Sequence, residues 1–312
     1  MGNSCEGRVA FVTGASRGIG RAIAHRLAAE GAKVAICSRP TPGLGDLGTL
    51  DGAREALAAT GAEVFALPLD LGDPSADLAG AIAAVEQHLG PIDILVNNAA
   101  AGGYKAFMEW SDDAIARALQ VNFHAPWNLI RLVLPGMRER GRGWIVNLSS
   151  ASATLPPKGP PFPNTGPARL GTIYGGTKAM LDRWTASLGV EVQPDGIVVN
   201  TLAPQAAAAT EVLVEYSDLP SELYEPLETM AEAALALATA SPDVLTARVT
   251  YSLELLAELD RPTFDLDGVT ELTDWAPALL PARIAVMKGH ASGERPIAPP
   301  SNVPDLLRGS RD

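Results

Sequence analysis

The stretch Thr13-Gly14-Ala15-Ser16-Arg17-Gly18-Ile19-Gly20 constrains this chain more than any other. An apolar run, Val9-Ala10-Phe11-Val12, leads into it, and a helical pattern from Ile19 to Ala29 leads out. The order is strand, glycine turn, helix. Gly14 permits a tight exit from the strand, Gly18 lets backbone approach a ligand with no Cβ in the way, and Gly20 lets the helix sit close on the strand. The helix N-terminus offers free N–H groups and the positive end of its dipole, which suits a pyrophosphate. A glycine turn can also merely connect elements; the strand and helix around this one favour a dinucleotide site. Gly14, Ser16, Arg17, Gly18, Ile19 and Gly20 are the first cofactor-contacting candidates.

Strand and helix patterns then alternate. Lys33-Val34-Ala35-Ile36-Cys37 arrives where a βαβ unit delivers its second strand. An acidic residue just beyond it would hydrogen-bond a ribose 2′-hydroxyl. The chain has Ser38 and Arg39 there. Arg39, joined by Arg17, suits a 2′-phosphate, so NADP(H) is expected ahead of NAD(H); the competing reading makes Arg39 a solvated loop residue. Pro40 to Leu50 is longer than an ordinary βα loop and is expected near the adenosine end. Asp51 to Thr60 has a helical pattern with Asp51 as a cap. Val64 to Leu67 is a third strand, followed by Asp70-Leu71. Leu78, Ile82, Val85 and Leu89 fall at helical spacing within Pro74 to Leu89. Ile92 to Val96 is a fourth strand, wholly apolar at Ile94-Leu95-Val96, as a parallel strand covered on both faces requires. Asp112 to Arg140 is one long helical segment with Asn122 in its middle, where a polar residue needs a reason. Trp144 to Leu148 and Ile197 to Leu202 are further strands, Leu227 to Ala240 an Ala-rich helix, and Ala247 to Tyr251 a short seventh strand. Residues 261–312, rich in proline and poor in periodicity, read as an extension wrapping its own subunit or a neighbour, not a second domain.

Composition narrows the partners. A net charge of −12 argues against nucleic acid or an anionic membrane surface, and no apolar run is long enough to span a bilayer. The start, Met1 to Arg8, is polar and short, so no signal peptide is expected. The two cysteines, Cys5 and Cys37, lack metal-ligand spacing, and the four histidines do not cluster. The expectation is a reduced, cytoplasmic protein with no metal site.

Tyr174-Gly175-Gly176-Thr177-Lys178 carries the second signal. Tyr and Lys four apart share a helix face, and Leu181, Trp184 and Leu188 continue the helix. Reducing a ketone needs a hydride at carbon and a proton at oxygen. A tyrosine hydroxyl can supply the proton, but its free pKa lies near 10, and bringing it near 7 takes about 4 kcal/mol. A neighbouring ammonium acts in that direction. Alone, this spacing is a common accident. Together with the Gly-x3-Gly-x-Gly turn, Asn97-Asn98-Ala99, Asn122 and Ser149-Ser150 at the end of a strand, it resembles the short-chain dehydrogenase/reductase family over roughly residues 6–250.

That resemblance implies an α/β fold: one doubly wound Rossmann-type domain over residues 1–260, with helices on both faces of a seven-stranded, mainly parallel sheet of order 3-2-1-4-5-6-7. It implies a catalytic tetrad of Asn122, Ser150, Tyr174 and Lys178, with Ser149 as the alternative serine and Asn122 holding a water next to Lys178. Lys178 would also bind the nicotinamide ribose, and Ser150 the carbonyl oxygen as charge develops on it. Cofactor contacts are implied for Asp70 and Leu71 at the adenine, although Asp70 also suits a simple turn, and for Asn98, Ala99, Pro204 and Thr210. Three departures stand out: Ala100 in place of a glycine, Gln205 after Pro204 in place of another, and a Pro-rich stretch, 154–171, lengthening the Ser150 to Tyr174 separation. The stretch is expected to shape the substrate pocket, and residues 206–225 to form a lid. The 40–50 loop with Leu47-Gly48-Thr49, the Pro-Gln pair and the strand near 245 are similar to the hydroxysteroid-dehydrogenase-like branch.

The expected function is an NADP(H)-preferring oxidoreductase, with NAD(H) possible, acting on a ketone or secondary alcohol of a small-molecule, steroid- or lipid-like substrate. Reduction of a 3-oxoacyl thioester is the alternative, and a nucleotide-bound scaffold or sensor is the alternative of another class. The resemblance also implies a homotetramer or homodimer formed through the helices of Asn122 and Tyr174.

Overall fold

The structure is a computed structural model that describes residues 3–40, 48–155, 159, 169–216 and 219–291. Its strands are β1 (Val9–Thr13), β2 (Lys33–Ser38), β3 (Val64–Pro68), β4 (Ile92–Asn97), β5 (Gly143–Leu148), β6 (Ile197–Ala203), β7 (Ala207–Ala208), β8 (Tyr224–Glu225) and β9 (Val249–Tyr251). Seven of them form one sheet in the order β3-β2-β1-β4-β5-β6-β9, and every pairing in it is parallel. β7 and β8 pair separately. The main sheet has the strand order expected from the sequence, with β9 in seventh place.

Strand alternation divides the core into two layers. Ala10 and Val12 of β1 face one side, with Ile23, Leu27, Met230 and Leu253; Val9 and Phe11 face the other, with Ile82, Val85, Leu129 and Val133. The first layer is covered by α1 (Gly18–Ala29), and further helices on both faces are α2 (Leu50–Ala58), α3 (Leu78–Leu89), α4 (Asp112–Leu119), α5 (Ala125–Arg140) and α6 (Thr172–Val192). α7 (Glu211–Tyr216), α8 (Leu227–Ala238), α9 (Ser252–Glu258) and α10 (Leu280–Ala291) complete the described helices.

Local chemistry moves several expected boundaries. α2 is capped by Thr49, whose Oγ1 accepts from the Gly52 N–H at 3.0 Å, so Asp51 sits in the first turn and is not the cap. α3 begins after Asp77, which accepts from the Gly80 N–H at 2.8 Å, rather than at Pro74. The 112–140 segment is interrupted by a π turn at Gln120–His124 that joins α4 to α5. His124, within that turn, is exposed. Beyond residue 261 the expected lack of periodicity is wrong for Leu280–Ala291. Pro281 is tolerated in the first turn of α10, and Leu280 and Met287 are buried in the same layer as Leu253. Each such fully buried side chain contributes about 1.5–3 kcal/mol.

Candidate active site

The crossovers on either side of β1 diverge, β2 to one side and β4 to the other, and strand C-termini open there into a crevice. A cavity of about 1170 Å³ occupies it. Gly14, Ser16, Arg17, Gly18, Ile19, Gly20, Ser38, Arg39, Asp70, Leu71, Asn98, Ala99, Tyr174, Lys178 and Thr210 all line this cavity. Pro204 lies just past β6 and is not among the lining residues.

The glycine turn is fitted to its neighbours. Asn98 Nδ2 donates to the carbonyls of Thr13 at 2.9 Å and Gly14 at 3.0 Å. A Cβ at Gly20 would collide with that amide and stand 2.7 Å from the Gly14 oxygen, so only glycine permits the approach. Thr13 Oγ1 accepts from the N–H groups of Asn98 and Ala99 at 3.0 and 3.1 Å. One strand over, Asn97 Nδ2 donates to Asn147 Oδ1 at 2.8 Å, and Asn147 Nδ2 donates to Thr185 Oγ1 at 2.9 Å. This buried chain ties β4 to β5 and to α6. Ala100 keeps an ordinary backbone: among the described non-glycine residues only Ala247 and Asp260 have positive φ.

Beyond β3, Asp70 Oδ1 accepts from the Gly72 N–H at 2.8 Å and from Arg117 Nη2 at 3.1 Å. Asp70 thus closes a local turn and lines the cavity at the same time. A second cavity, of about 370 Å³, is lined by Ser16, Arg17, Ser38 and Arg39 together with Gly48, Thr49 and Arg54. Burial lowers the Arg17 pKa, the Arg39 charge lowers it further, and Glu211 opposes both. Two guanidinium groups converging in this way suit an anion. The rest of the 40–50 loop, residues 41–47, lies outside the described residues, as does most of the Pro-rich stretch, at 156–158 and 160–168.

α6 delivers Tyr174 and Lys178 to the same cavity. Gly175 lets its first turn nest on the 150–153 turn, where a Cβ would collide with the Ser152 carbonyl. Lys178 is buried, and its Nζ donates to the Leu148 carbonyl at 2.6 Å. Burial lowers its pKa to about 8, with the Asp182 carboxylate pulling it back up. Burial, reinforced by Tyr104, raises the Tyr174 pKa well above its ordinary value, and Ser150 opposes the shift. The sequence reading, in which the lysine brings the phenol toward 7, is therefore corrected: desolvation outweighs the ammonium, which is held at Leu148, 5.9 Å from the Tyr174 ring centroid.

Ser150 Oγ lies 2.9 Å from Ser152 Oγ, and Ser149 lines the cavity. Asn122 lies in the π turn; its Oδ1 accepts from the Ala101 N–H at 2.9 Å, and its Nδ2 donates to the Ala101 carbonyl at 2.7 Å and to Thr177 Oγ1 at 2.9 Å. The amide thus braces Thr177, the residue before Lys178. Gln205 is buried, and its N–H donates to Glu225 Oε1 at 2.6 Å.

Sequence reasoning missed Tyr104, Trp110, Arg117 and Glu211. The Tyr104 ring meets Tyr174 edge-on at 6.0 Å; Trp110, Arg117 and Glu211 line the cavity. No motif marks any of them. Among the described residues, no group of three or more His, Cys, Asp or Glu is placed to hold a metal ion, and no helix is long and apolar enough to cross a membrane.

Known proteins are similar to this chain in sequence and fold. The ketoacyl reductase HetN of Nostoc sp. is 32% identical over 209 residues, covering 67% of each chain. The 3-oxoacyl-[acyl-carrier-protein] reductase FabG of Salmonella typhimurium is 34% identical over 201 residues, 64% of this chain and 74% of that one. The crystal structure of a 3-oxoacyl (acyl-carrier-protein) reductase from Agrobacterium tumefaciens C58 with NADP bound superposes with a TM-score of 0.66 at 26% identity, covering 80% of this chain and 94% of that one. The sequence pattern described as short chain dehydrogenase matches residues 8–219. The chain belongs to the short-chain dehydrogenase/reductase family.

Proposed function

We propose that this protein is an NADP(H)-dependent carbonyl reductase that interconverts a ketone and a secondary alcohol on an apolar, lipid-like substrate. One observation carries the reading: Tyr174 and Lys178 line the same cavity as the glycine turn and the Arg17–Arg39 pair. NADP(H) supplies the hydride when bound. The N–H groups at the start of α1 take its pyrophosphate, and Arg17 and Arg39 take its 2′-phosphate. In the reductive direction Tyr174 donates its proton to the carbonyl oxygen, and burial favours the protonated phenol that this step needs. Ser150, at the end of β5, holds the same oxygen as negative charge develops on it. Lys178 spends one of its three N–H donors on Leu148 and has the others for the nicotinamide ribose.

An apolar substrate is supported by the segment between Tyr104, which touches Tyr174, and Trp110, which lines the cavity: Phe107 and Met108 there are 71% and 88% exposed. The names of the two ketoacyl reductases and of the Agrobacterium protein favour a second reading, reduction of a 3-oxoacyl thioester. NADPH consumption, with NADH in parallel, against steroids, acyl thioesters and small ketones tests both. Tyr174→Phe is expected to lower turnover by about 10²–10⁴-fold. Turnover that survives the substitution defeats the mechanism. Tight NADPH binding without turnover on any member of the panel would favour the scaffold or sensor reading.

A further inference from the structure

Glu211, at the start of α7, lies in the segment expected to act as a lid, and nothing in the proposed reaction uses it. Its carboxylate crosses to the N-terminus of α1, where Oε2 accepts from the Gly18 N–H at 3.0 Å and Oε1 is ion-paired with Arg21. Its charge also reaches Arg17. Glu211, Gly18 and Arg17 belong to the wall of the large cavity, and the Thr210 side chain beside Glu211 packs over Gly18. The pair with Arg21 is partly solvated, its side chains 37% and 29% exposed, so it contributes little to stability. Its placement matters more: a negative group from within the chain takes the first free N–H of α1 and the positive end of that helix dipole, which a pyrophosphate would take.

We propose that Glu211 is an internal competitor of the cofactor pyrophosphate, so that NADP(H) binds by exchanging one anion for another at Gly18 and thereby releases α7. Two negative groups cannot share that N–H, and the displaced carboxylate carries the start of the lid with it. Cofactor affinity is thus set below what the turn and its arginines would give alone, and the lid is loosened only once cofactor is in place. This rests on the NADP(H) reading above.

The test is a fluorescence titration of the full-length protein with NADPH, comparing wild type with Glu211→Ala and Glu211→Gln. The Gln variant keeps the side-chain volume should the Ala variant fold poorly. Both are expected to bind about tenfold more tightly than wild type, equivalent to about 1.4 kcal/mol, with the gap narrowing as salt rises. Equal or weaker binding by variants that still bind NADPH overturns the competitor role and leaves the cofactor reading intact. Failure of wild type and variants alike to bind NADPH defeats the cofactor reading, and this inference with it.

Discussion

Lys178 is held at Leu148 by a 2.6 Å hydrogen bond from its Nζ, and Asp182, one helical turn further along α6, is the carboxylate that keeps its charge. Burial has brought the lysine to about 8. Removing the carboxylate favours the neutral amine and lowers that value further. The alkaline limb of kcat is therefore expected near pH 8 in the wild type and about one unit lower in Asp182→Asn. A pH–rate profile reads this directly; coincident limbs in the two proteins would sink the assignment.

Arg39→Ala is expected to weaken NADPH binding by about 10–100-fold, the worth of a charge-assisted contact to phosphate, and to leave NADH within about twofold. Parallel titrations with the two cofactors decide it. An equal loss for both would place Arg39 away from the 2′-phosphate.

Glu225 is fully buried and accepts from the Gln205 N–H at 2.6 Å, from the Thr229 hydroxyl at 2.6 Å and from the Ser252 hydroxyl at 2.5 Å. Burial nonetheless outweighs these bonds and raises its pKa from 4.5 to about 7. For an acid whose folded pKa lies above the unfolded one, stability falls as pH rises between the two values and then levels off. Glu225→Gln should flatten the stability curve between pH 4.5 and 7 and gain at most about 3 kcal/mol at pH 8. Urea denaturation at several pH values checks it, and a slope that persists in the variant would rule it out.

Trp127, 42% exposed, stacks on Phe123 at 5.8 Å and meets Trp184 at 5.6 Å, giving α5 and α6 a shared aromatic face. Light scattering is expected to give the wild type a mass at least twice 32.5 kDa and Trp127→Glu a smaller one. A monomeric wild type would end the proposal that this face joins subunits.

The parts of the site visible in the sequence are those carried by short, rigid segments. Gly14 to Gly20 and Tyr174 to Lys178 each lie within one turn and one helix, so spacing alone places their groups together. The apolar runs located the strands, but their order in the sheet came from the family resemblance, because the handedness of crossovers leaves several parallel orders open. Glu211 and Gly18, by contrast, meet across most of the chain, and no local pattern announces the contact. The direction of the Tyr174 shift was misread because a sequence shows the neighbouring lysine but not the burial that outweighs it. Thr49 displaced Asp51 as a cap because either side chain can serve and only backbone geometry chooses. α10 was hidden by Pro281 and Gly289, residues that read as breakers yet sit near its two ends.

The amide chain from Asn97 through Asn147 to Thr185 makes one wall of the cavity a fixed jaw, because it joins two central strands to the helix that bears Tyr174. The opposite wall, at Thr210 and Glu211, hangs from β7 and β8, each two residues long. A vice of this kind separates two properties that are often changed together. On the proposed reading, the fixed jaw would set which face of a carbonyl meets the proton donor, and the lightly anchored one would set which molecules are admitted. Exchanging residues 207–225 alone should therefore redirect the substrate range while the handedness of the product alcohol is inherited unchanged.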